Sequence, residues 1–434
     1  MNTKEGWFRM KTNQWRAAGL FFVLAFPVAV EAETYLGVRE LGDPVVGVGA
    51  RSLSMGGTGV ARGGRACTLA INPAVMNDFD RSRLSMSAGP VFMTEKAAET
   101  ASTTRFRNSN YLEINELGAA FPLGESRFRF GLALTPITDF HYKMTSSIYA
   151  ASGAPTKTTE LKDSGVVWAL SPAISFGFGD NFSLGLSYNY WTGSEDASVN
   201  LKSVSSGVLW DISESATYGG SALRLGFRLK ASERFQWGGY YQPSSKMTRN
   251  YSFTNSTATA MNKSSQDTFD FPSSVGIGFS CYVPSEHNTE FSMEIHQSKW
   301  SQVKVNGAPV NTVSAIKPIF QEVANQSPNL LGYGNATPRN YRDVTEVRAG
   351  IEHELAPQMF LRYGFHYLPC YSDQTIEATY FTVGFGTQIS EKVGWDLAGE
   401  FGKRDYTGDN LYYSATKRVD ESHRKILLSG FVKW

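Results

Sequence analysis

Apolar and polar residues alternate one by one in segments of roughly ten residues from about residue 83 onward. The segment 182–190 reads FSLGLSYNY, with Phe, Leu or Tyr at every second position and Ser, Gly or Asn between them. The alternation recurs in segments 222–229, 275–281, 361–367 and 393–401. Because successive side chains of a strand point to opposite faces, this pattern predicts β-strands with one apolar and one polar face.

The connections between these segments alternate between short turns and long loops. The short turns lie at 123–125, 179–181, 232–233, 285–287, 356–358 and 390–392. Long loops are expected near residues 93–111, 139–163, 195–216, 251–268, 303–342, 370–376 and 405–423. Short turns at one end and long loops at the other are typical of outer-membrane barrels, whose long loops face the outside of the cell. A soluble β-sandwich shares the alternation but not this rhythm.

Counting the segments gives fourteen strands, so the fold class predicted is all-β: a 14-stranded antiparallel transmembrane β-barrel. The apolar stretches after residue 32 are far shorter than the roughly 20 residues that a transmembrane helix needs. The last segment, Ile426–Trp434, alternates and ends on an aromatic residue. It resembles the C-terminal pattern by which outer-membrane barrels are recognised for insertion.

The N-terminal residues 1–32 have the features of a cleaved signal peptide. A leader with four basic residues precedes an apolar run, Ala17–Val30, which is too short to span a bilayer. The tripeptide Val30-Glu31-Ala32 then matches the small-residue pattern of a cleavage site, and we expect cleavage near Ala32. An N-terminal membrane anchor is the alternative.

Composition and charge exclude several classes of function. A net charge of +1 gives no reason to expect a nucleic-acid partner. The six histidines lack the spacing of a zinc site, so we expect no metal and no cofactor. Three cysteines that lie far apart form no disulfide framework, and their role is left open: Cys67, Cys281 and Cys370.

The segment before the barrel, residues 33–82, is rich in glycine and lacks the barrel rhythm. It contains GARSLSMGGTGVA at 49–61 and an Asn-Pro-Ala triplet within LAINPAVM at 69–76. The Gly-Gly-Thr-Gly stretch at 56–59 lacks the Gly-Lys-Ser/Thr ending of a phosphate-binding loop, and it also lacks the strand–turn–helix context of a dinucleotide site.

The stretches GARSLSMGGTGVA and LAINPAVM resemble the N-terminal hatch of the FadL/TodX family of outer-membrane transporters of hydrophobic compounds. The downstream text VVWALSPAISFGFGDNFSLGLSYNYW, GGYYQPSSKM and VRAGIEHELAPQMFLRYGFHYLP resembles the strand–turn–strand blocks of that family. The resemblance implies a fourteen-stranded barrel with a small N-terminal hatch inside the lumen, which agrees with the strand count.

We therefore divide the chain into a signal peptide (1–32), a hatch segment (33–82) and a barrel (83–434). The hatch residues that the resemblance implies are Met55, Gly56, Gly57, Gly59, Asn72, Pro73 and Ala74. Glycines permit tight turns in a narrow lumen, and a proline stiffens one. A purely architectural role is as well supported as ligand contact. The stretch Arg62-Gly63-Gly64-Arg65 departs from the polar, often acidic linker usual in the family.

The third barrel strand, expected at Phe128–Thr138, is the candidate for a kink that opens the wall sideways. It carries Gly131 and Pro136, and a proline removes one hydrogen bond of the ladder. The alternative is that Pro136 merely ends the strand.

Candidate ligand contacts come from the inward face of the barrel. Arg348 and Arg362 could bind a carboxylate head group, while Leu427 and Phe431 are apolar residues of the kind that borders a hydrophobic pocket. Mixed charges that face a lumen also commonly bridge strands or hold a plug, and this is the alternative for the two arginines.

The function implied is passive uptake of hydrophobic compounds, fatty acids or hydrocarbons, across the bacterial outer membrane. Ligand would be captured at extracellular loops, held in a lumen pocket and released laterally or past the hatch. The expected partners are a hydrophobic small molecule, outer-membrane lipid and lipopolysaccharide, with no nucleic acid and a monomeric barrel.

A PorV-like secretion or assembly component on the same scaffold is the main alternative. A barrel enzyme is disfavoured because no Gly-x-Ser-x-Gly elbow is present and the histidines lack an evident nucleophile, so no catalytic residue is assigned. An open aqueous porin is disfavoured by a hatch in the lumen.

Overall fold

The structure, a computed structural model, describes most of the chain after the predicted signal peptide. That peptide, residues 1–32, lies outside the described residues, as do parts of the long loops expected near 93–111, 303–342 and 405–423. The described residues are 37, 40–97, 110–124, 126–149, 155–203, 205–284, 288–310, 317–319, 341–372, 376–408 and 417–434.

Fourteen antiparallel strands close into one barrel, which confirms the fold predicted from the alternation. The first and last wall strands pair with each other, with Arg83 opposite Lys433. The strands are β1 (Asp43–Pro44), β2 (Arg83–Ala97), β3 (Asn110–Pro122), β4 (Phe128–Asp139), β5 (Tyr142–Tyr149), β6 (Pro155–Phe178), β7 (Phe182–Ser203), β8 (Gly207–Ser232), β9 (Phe235–Gln242), β10 (Ser245–Asn255), β11 (Lys263–Phe271), β12 (Ser274–Val283), β13 (Thr289–Ser298), β14 (Lys304–Val305), β15 (Ala308–Pro309), β16 (Val344–Ala356), β17 (Met359–Pro369), β18 (Glu377–Gln388), β19 (Val393–Gly408) and β20 (Lys417–Lys433).

Three of the fourteen wall strands are each built from two consecutive pieces: β4 with β5, β9 with β10, and β11 with β12. Proline interrupts two of them, at Pro243 and at Pro272, because its ring nitrogen cannot donate to the ladder. The short strands β1, β14 and β15 pair with wall strands or with each other but are not part of the closed wall.

At membrane level the apolar residues of the alternating pattern lie on the outer face of the wall, and the polar residues lie on its inner face. On β7 the outward residues Leu184, Leu186 and Tyr188 are exposed, whereas the alternate residues Ser183 and Ser187 are buried on the lumen side. The exposed apolar residues form the band that faces lipid in an outer-membrane barrel. Short turns connect β6 to β7 and β16 to β17, as the sequence predicts, whereas the predicted turn 285–287 lies outside the described residues.

The prediction of long loops is wrong for several regions, which fold largely as strands. The expected loop 195–216 consists mostly of β7 and β8, which stay paired up to Ser203 and Gly207. The expected loops 139–163 and 251–268 likewise contain β5, β6, β10 and β11. Hydrogen bonding between the two arms of each hairpin continues beyond the membrane, and this extends the wall.

One side of the barrel is consequently much taller than the other. Strands β6, β7 and β8 have 24, 22 and 26 residues, whereas β13, β17 and β18 have 10, 11 and 12. The average difference of about 13 residues corresponds to about 43 Å along a strand, at about 3.3 Å per residue. We call β6, β7, β8, β10 and β11 the tall wall.

The hatch segment forms short helices that pack against the inner face of the wall. The helix α1 (Gly49–Ser54) contacts β18, β19 and β20, and two 3-10 helices, Ala66–Ala70 and Pro73–Asp78, contact β3, β4, β6, β7 and β8. Two further 3-10 helices, Thr259–Met261 and Trp300–Gln302, belong to connections. No helix among the described residues is long and apolar enough to cross a membrane.

Inward-facing glycines allow the hatch backbone to approach the wall closely. A Cβ on Gly185 would lie 2.4 Å from the backbone nitrogen of Ala74, and one on Gly364 would lie 2.6 Å from that of Gly56. Both distances are too short for a real contact, so only glycine fits at these two positions.

Candidate functional site

Charged residues at membrane level join the hatch segment to the wall. Arg51 binds Glu352 at 3.1 Å and Glu290 at 3.2 Å, and Arg65 binds Asp396 at 2.7 Å. Burial alone would lower the pKa of Arg51, but the two glutamates raise it above its ordinary value, so the guanidinium stays charged. These pairs fix the hatch segment in one position in the lower lumen.

The predicted hatch residues also contact the wall through hydrogen bonds. Gly59 and Val60 donate their backbone N–H groups to Glu294 Oε1 at 2.7 and 2.6 Å, and Gly56 donates to Thr382 Oγ1 at 3.1 Å. Gly56 has φ +69° and Gly57 φ +80°, which are backbone conformations that glycine adopts readily.

The Asn-Pro-Ala triplet begins the second 3-10 helix and anchors it. The Asn72 side chain accepts from Ala74 N at 3.0 Å and donates to Phe227 O at 2.9 Å. Pro73 is the first residue of that helix, where a missing N–H costs nothing. Met55 is buried directly after α1. These contacts are architectural.

The two arginines predicted to bind a ligand lie against the hatch segment. Arg348 pairs with Glu346 at 2.6 Å and donates to Gly57 O at 3.2 Å. Arg362 bridges Glu352 at 2.5 Å and Asp396 at 2.8 Å. These contacts favour the alternative reading, in which the arginines hold the plug, and binding of a ligand carboxylate stays a prediction.

The two predicted apolar lumen residues are also next to the hatch segment. Leu427 packs with Ala50 and Leu53 of α1, and the Arg65 guanidinium carbon lies 3.7 Å from the centroid of the Phe431 ring. Their contact with a hydrophobic ligand stays a prediction as well.

Cys67 of the hatch segment is buried, and its thiol is unreactive. Burial raises the pKa of the Cys67 thiol well above its ordinary value, and the neighbouring Glu116 raises it further. The thiol therefore remains protonated and donates to the Glu116 carboxylate. The described residues contain no group of three or more His, Cys, Asp or Glu side chains that could hold a metal ion.

The polarity of the wall inverts above the membrane on the tall side. On β7 the inward residues change from Ser187 and Asn189 to Val199 and Leu201, while the outward residues change from leucine and tyrosine to polar residues such as Ser194. Strand β8 inverts in the same way, with Ile212 and Ala216 buried inside. The upper lumen is therefore mainly apolar although it lies outside the bilayer, and Glu195 and Glu214 are the charged residues among these inward positions of β7 and β8.

Aromatic rings fill this upper lumen. Trp300 stacks on Tyr371 with ring centroids 4.0 Å apart, and Tyr341 meets Tyr371 edge-on at 5.1 Å. Offset and edge-on pairs of this kind stabilise a packed cluster. We define the aromatic cluster as Phe140, Trp191, Tyr218, Phe269, Phe271, Trp300, Tyr341 and Tyr371, with the aliphatic residue Leu41 packed among them.

Buried charges lie between the aromatic cluster and the outer rim of the tall wall. Lys317 is fully buried beside Asp163, at 3.3 Å, and Glu195, and its ammonium lies 4.6 Å from the centroid of the Phe140 ring. Arg249 is likewise fully buried and paired with Glu214. These two buried cations are thus paired with carboxylates of the protein.

A small cavity lies beside the aromatic cluster. It is bordered by Val45 and Val46 of the hatch segment, by Tyr371 of the cluster and by polar wall residues that include His366 and Glu400. Its volume is about 70 Å³, less than the roughly 150 Å³ of an engineered protein cavity that binds benzene. A hydrophobic solute can enter only if the surrounding side chains or the hatch segment move.

The barrel wall has a gap between β3 and β4. The two strands pair from Pro122 and Arg129 only as far as Leu117 and Leu134. Beyond that point β3 pairs with β2 alone, and β4 carries a bulge at Ile137 on its other edge. Pro136, the residue predicted to kink this strand, directly precedes the bulge, so the ladder is irregular here as expected for proline.

Residues 41–45 of the hatch segment occupy the inner side of this gap; we call them the gap segment. Asp43 and Pro44 pair with the end of β4, and Thr138 Oγ1 donates to Leu41 O at 2.7 Å. The Tyr371 hydroxyl accepts from Leu41 N at 3.2 Å and lies 3.1 Å from Gly42 O. The gap segment therefore connects the aromatic cluster directly to the opening in the wall.

Sequence reasoning missed the aromatic cluster and the gap segment. In the sequence the apolar residues change from even positions, at Leu184 and Leu186, to odd positions, at Val199 and Leu201, but the sequence analysis predicts a loop here. Trp300 and Tyr341 come from the connection between β13 and β16, and Tyr371 comes from that between β17 and β18; no periodic pattern marks them.

Comparison with known proteins follows from this geometry. The model of the family described as outer membrane protein transport protein (OMPP1/FadL/TodX) matches residues 46–398. No curated protein matches the chain.

Solved structures share the fold at low identity. A Pseudomonas aeruginosa FadL homologue has a TM-score of 0.62 at 12% identity, over 90% of this chain and 99% of its own. The toluene transporter TodX of P. putida gives 0.59 at 14% identity, over 89% and 99%. The Ralstonia pickettii toluene transporter TbuX gives 0.57 at 16% identity, over 89% and 98%.

The family match covers most of the chain and agrees with the closed barrel of fourteen strands. The chain belongs to the OMPP1/FadL/TodX family of bacterial outer-membrane proteins, which are transporters of hydrophobic compounds rather than enzymes.

Proposed function

We propose that this protein takes up hydrophobic compounds passively through the aromatic cluster and releases them sideways through the gap between β3 and β4. The observation that carries the proposal is the inverted polarity of the tall wall. An apolar inner surface above the membrane gives a poorly soluble compound a place to leave water before it reaches the bilayer.

Lateral release is supported by how firmly the hatch segment is held. A route straight down the lumen would have to break the buried pairs of Arg51, Arg65 and Arg362, and breaking such a pair costs about 3–5 kcal/mol. Opening the gap requires instead that the gap segment leave the edge of β4, where β1 pairs over two residues, and that Leu41 leave the aromatic cluster. An apolar solute also gains nothing by crossing a polar lower lumen.

The aromatic cluster suits neutral compounds better than charged ones. Lys317 and Arg249, two buried cations beside the aromatic cluster, are already paired with Asp163, Glu195 and Glu214. A ligand carboxylate would lose its hydration without gaining an uncommitted positive charge among these residues. We therefore expect hydrocarbons to be taken up better than fatty acids. Toluene is named as the cargo of two of the structural relatives.

Uptake by whole cells tests the proposal. A deletion strain and its complemented counterpart would be given labelled toluene and a labelled long-chain fatty acid in parallel. We expect complementation to restore uptake of toluene strongly and of the fatty acid weakly. No difference between the strains with either compound would overturn the transport function and would favour a PorV-like assembly role.

A further inference from the structure

We infer that the small cavity beside the aromatic cluster binds the hydroxyl group of a neutral aromatic cargo, through His366 and Glu400. A phenol is therefore bound more tightly than the hydrocarbon of the same shape. This rests on the proposed function, in which the aromatic cluster holds the apolar part of the cargo. It adds the side chains that select among neutral compounds.

Two side chains that border the cavity have hydrogen-bonding capacity to spare. Within the described part of the chain, His366 Nδ1 and Glu400 Oε2 are buried and have no hydrogen-bond partner. Glu400 Oε2 lies 3.8 Å from His366 Nε2, which is too far for a hydrogen bond, whereas Glu400 Oε1 lies 3.1 Å from His423 Nε2. Buried polar groups are nearly always paired. A hydroxyl group both donates and accepts, so it can pair with a carboxylate and with a histidine ring.

The size and position of the cavity suit a hydroxyl group rather than a whole cargo molecule. Its volume is about 70 Å³, whereas a water molecule, which is about as large as a hydroxyl group, needs roughly 10–15 Å³. Tyr371 of the aromatic cluster and Pro44 of the gap segment both border the cavity. A ring that lies against Tyr371 can therefore place its hydroxyl group in the cavity and stay beside the gap in the wall.

The charges around the cavity favour a neutral ligand. Lys425 is paired with Glu113 at 2.6 Å, and Arg404 is paired with Glu421 at 2.9 Å. An anion in the cavity would lie close to Glu400 and Glu113, and a cation would lie close to Lys425 and Arg404. Either ion would also lose its hydration, which costs far more than removing a hydroxyl group from water.

The polar side chains are held in position before a ligand arrives. The ring of His366 stacks on Tyr380 with centroids 4.7 Å apart, and the ring of His423 meets Tyr380 edge-on at 5.4 Å. His366 and Glu400 are almost completely buried, so few other rotamers are open to them. Binding a hydroxyl group here orders little that is not already ordered, and this favours affinity.

Calorimetric titration of the full-length protein in detergent tests the inference with three compounds: toluene, p-cresol, which is toluene with one hydroxyl group, and 4-methylbenzoate, which is toluene with a carboxylate. Each affinity is corrected for partition of the compound into protein-free micelles. The parent protein should bind p-cresol about tenfold more tightly than toluene, because a hydrogen bond to a charged group is gained. The benzoate should bind most weakly.

Two variants remove one partner each from the hydroxyl group. Glu400→Gln and His366→Leu should each weaken the binding of p-cresol about fivefold to tenfold and change that of toluene by less than about twofold. The matched control is His353→Leu, which removes a histidine that lies 2.7 Å from the Tyr363 hydroxyl and does not border the cavity. It should bind all three compounds as the parent does.

Equal affinity of the parent protein for p-cresol and toluene would overturn the hydroxyl site and leave the proposed function standing. So would variants that keep the parent's preference for p-cresol, or tightest binding of the benzoate. Failure of the parent to bind any of the compounds would instead overturn the proposed function. Heat-modifiable migration on a gel identifies a variant that does not fold, and the other variant and the parent then decide.

Discussion

The lumen has two levels that are built on opposite principles. At membrane level the interior is polar, and the hatch segment is fixed there by ion pairs and by hydrogen bonds to backbone amides. Above the membrane the interior is filled mainly by aromatic rings, several of which come from connections rather than strands, and the buried ion pairs of Lys317 and Arg249 lie beside them. The lower level resists change, whereas the upper level is held mainly by packing that an apolar solute can replace.

The largest effect should come from fastening the gap segment to the wall. Asp43 and Asp139 are partners in register, and Cα atoms of antiparallel partners lie about 4.5–5.5 Å apart, within reach of a disulfide. In a Cys370→Ser background, the variant Asp43→Cys, Asp139→Cys should lose toluene uptake when oxidised. Reduction should restore it.

The control for that experiment is each single cysteine variant under the same oxidising conditions, which should transport normally. Full uptake by the oxidised double variant, with the disulfide verified by gel mobility, would exclude release through this gap. The lower level of the lumen would then have to provide the exit.

Removing a charge from the lower level should destabilise the protein strongly. Arg362→Met leaves Glu352 and Asp396 with one partner fewer in a buried site. We expect the free energy of unfolding to fall by about 4 kcal/mol, as measured by urea titration in detergent. The control Lys230→Met breaks an exposed pair with Glu233 and should cost less than about 1 kcal/mol. An equal loss of unfolding free energy in the two variants would mean that the buried ion pairs around the hatch segment do not stabilise the lower lumen.

A truncation in the upper level should behave differently because a ligand can compensate for it. Trp300→Ala removes a ring that stacks on Tyr371 and should cost about 3 kcal/mol. Toluene should then raise the unfolding midpoint of the variant more than that of the parent, since it can fill the space left behind. If toluene stabilises both proteins equally, the aromatic cluster is not on its path.

The smallest effect is expected at Pro136. Pro136→Val supplies an N–H group to the ladder beside the bulge, and one added hydrogen bond contributes about 1 kcal/mol. Toluene uptake should slow about fivefold, the factor that such an energy represents. Heat-modifiable migration on a gel should show that insertion is intact. Unchanged uptake would mean that the proline only shapes the strand.

The wall could be predicted from the sequence because the alternation of apolar and polar residues marks each strand by itself. Alternation such as that of residues 182–190 reflects a local rule, the opposite orientation of successive side chains. The strand count and the position of the short turns follow from that rule. The inward direction of Arg348 and Arg362 follows from it too.

The upper lumen could not be predicted because its parts are brought together by tertiary structure. Leu41, Trp300 and Tyr371 are far apart in sequence, and each stands alone in an irregular region. The prediction of loops in the tall wall is wrong for another reason: serine, threonine and asparagine on its outer face are typical of loops as well as of strands outside a membrane. The one local indication is that apolar residues move from even positions at membrane level to odd positions at Val199 and Leu201.

The closely paired hairpin of β7 and β8 has a consequence for the intact cell. Pairing continues to Ser203 and Gly207, so the outermost part of the tall wall is hydrogen-bonded sheet joined by a very short connection. Proteases cut most readily at exposed loop tips, and a paired strand does not fit their active sites unless it first unfolds locally. The part of the protein that projects farthest on this side should therefore be a poor target for digestion at the cell surface.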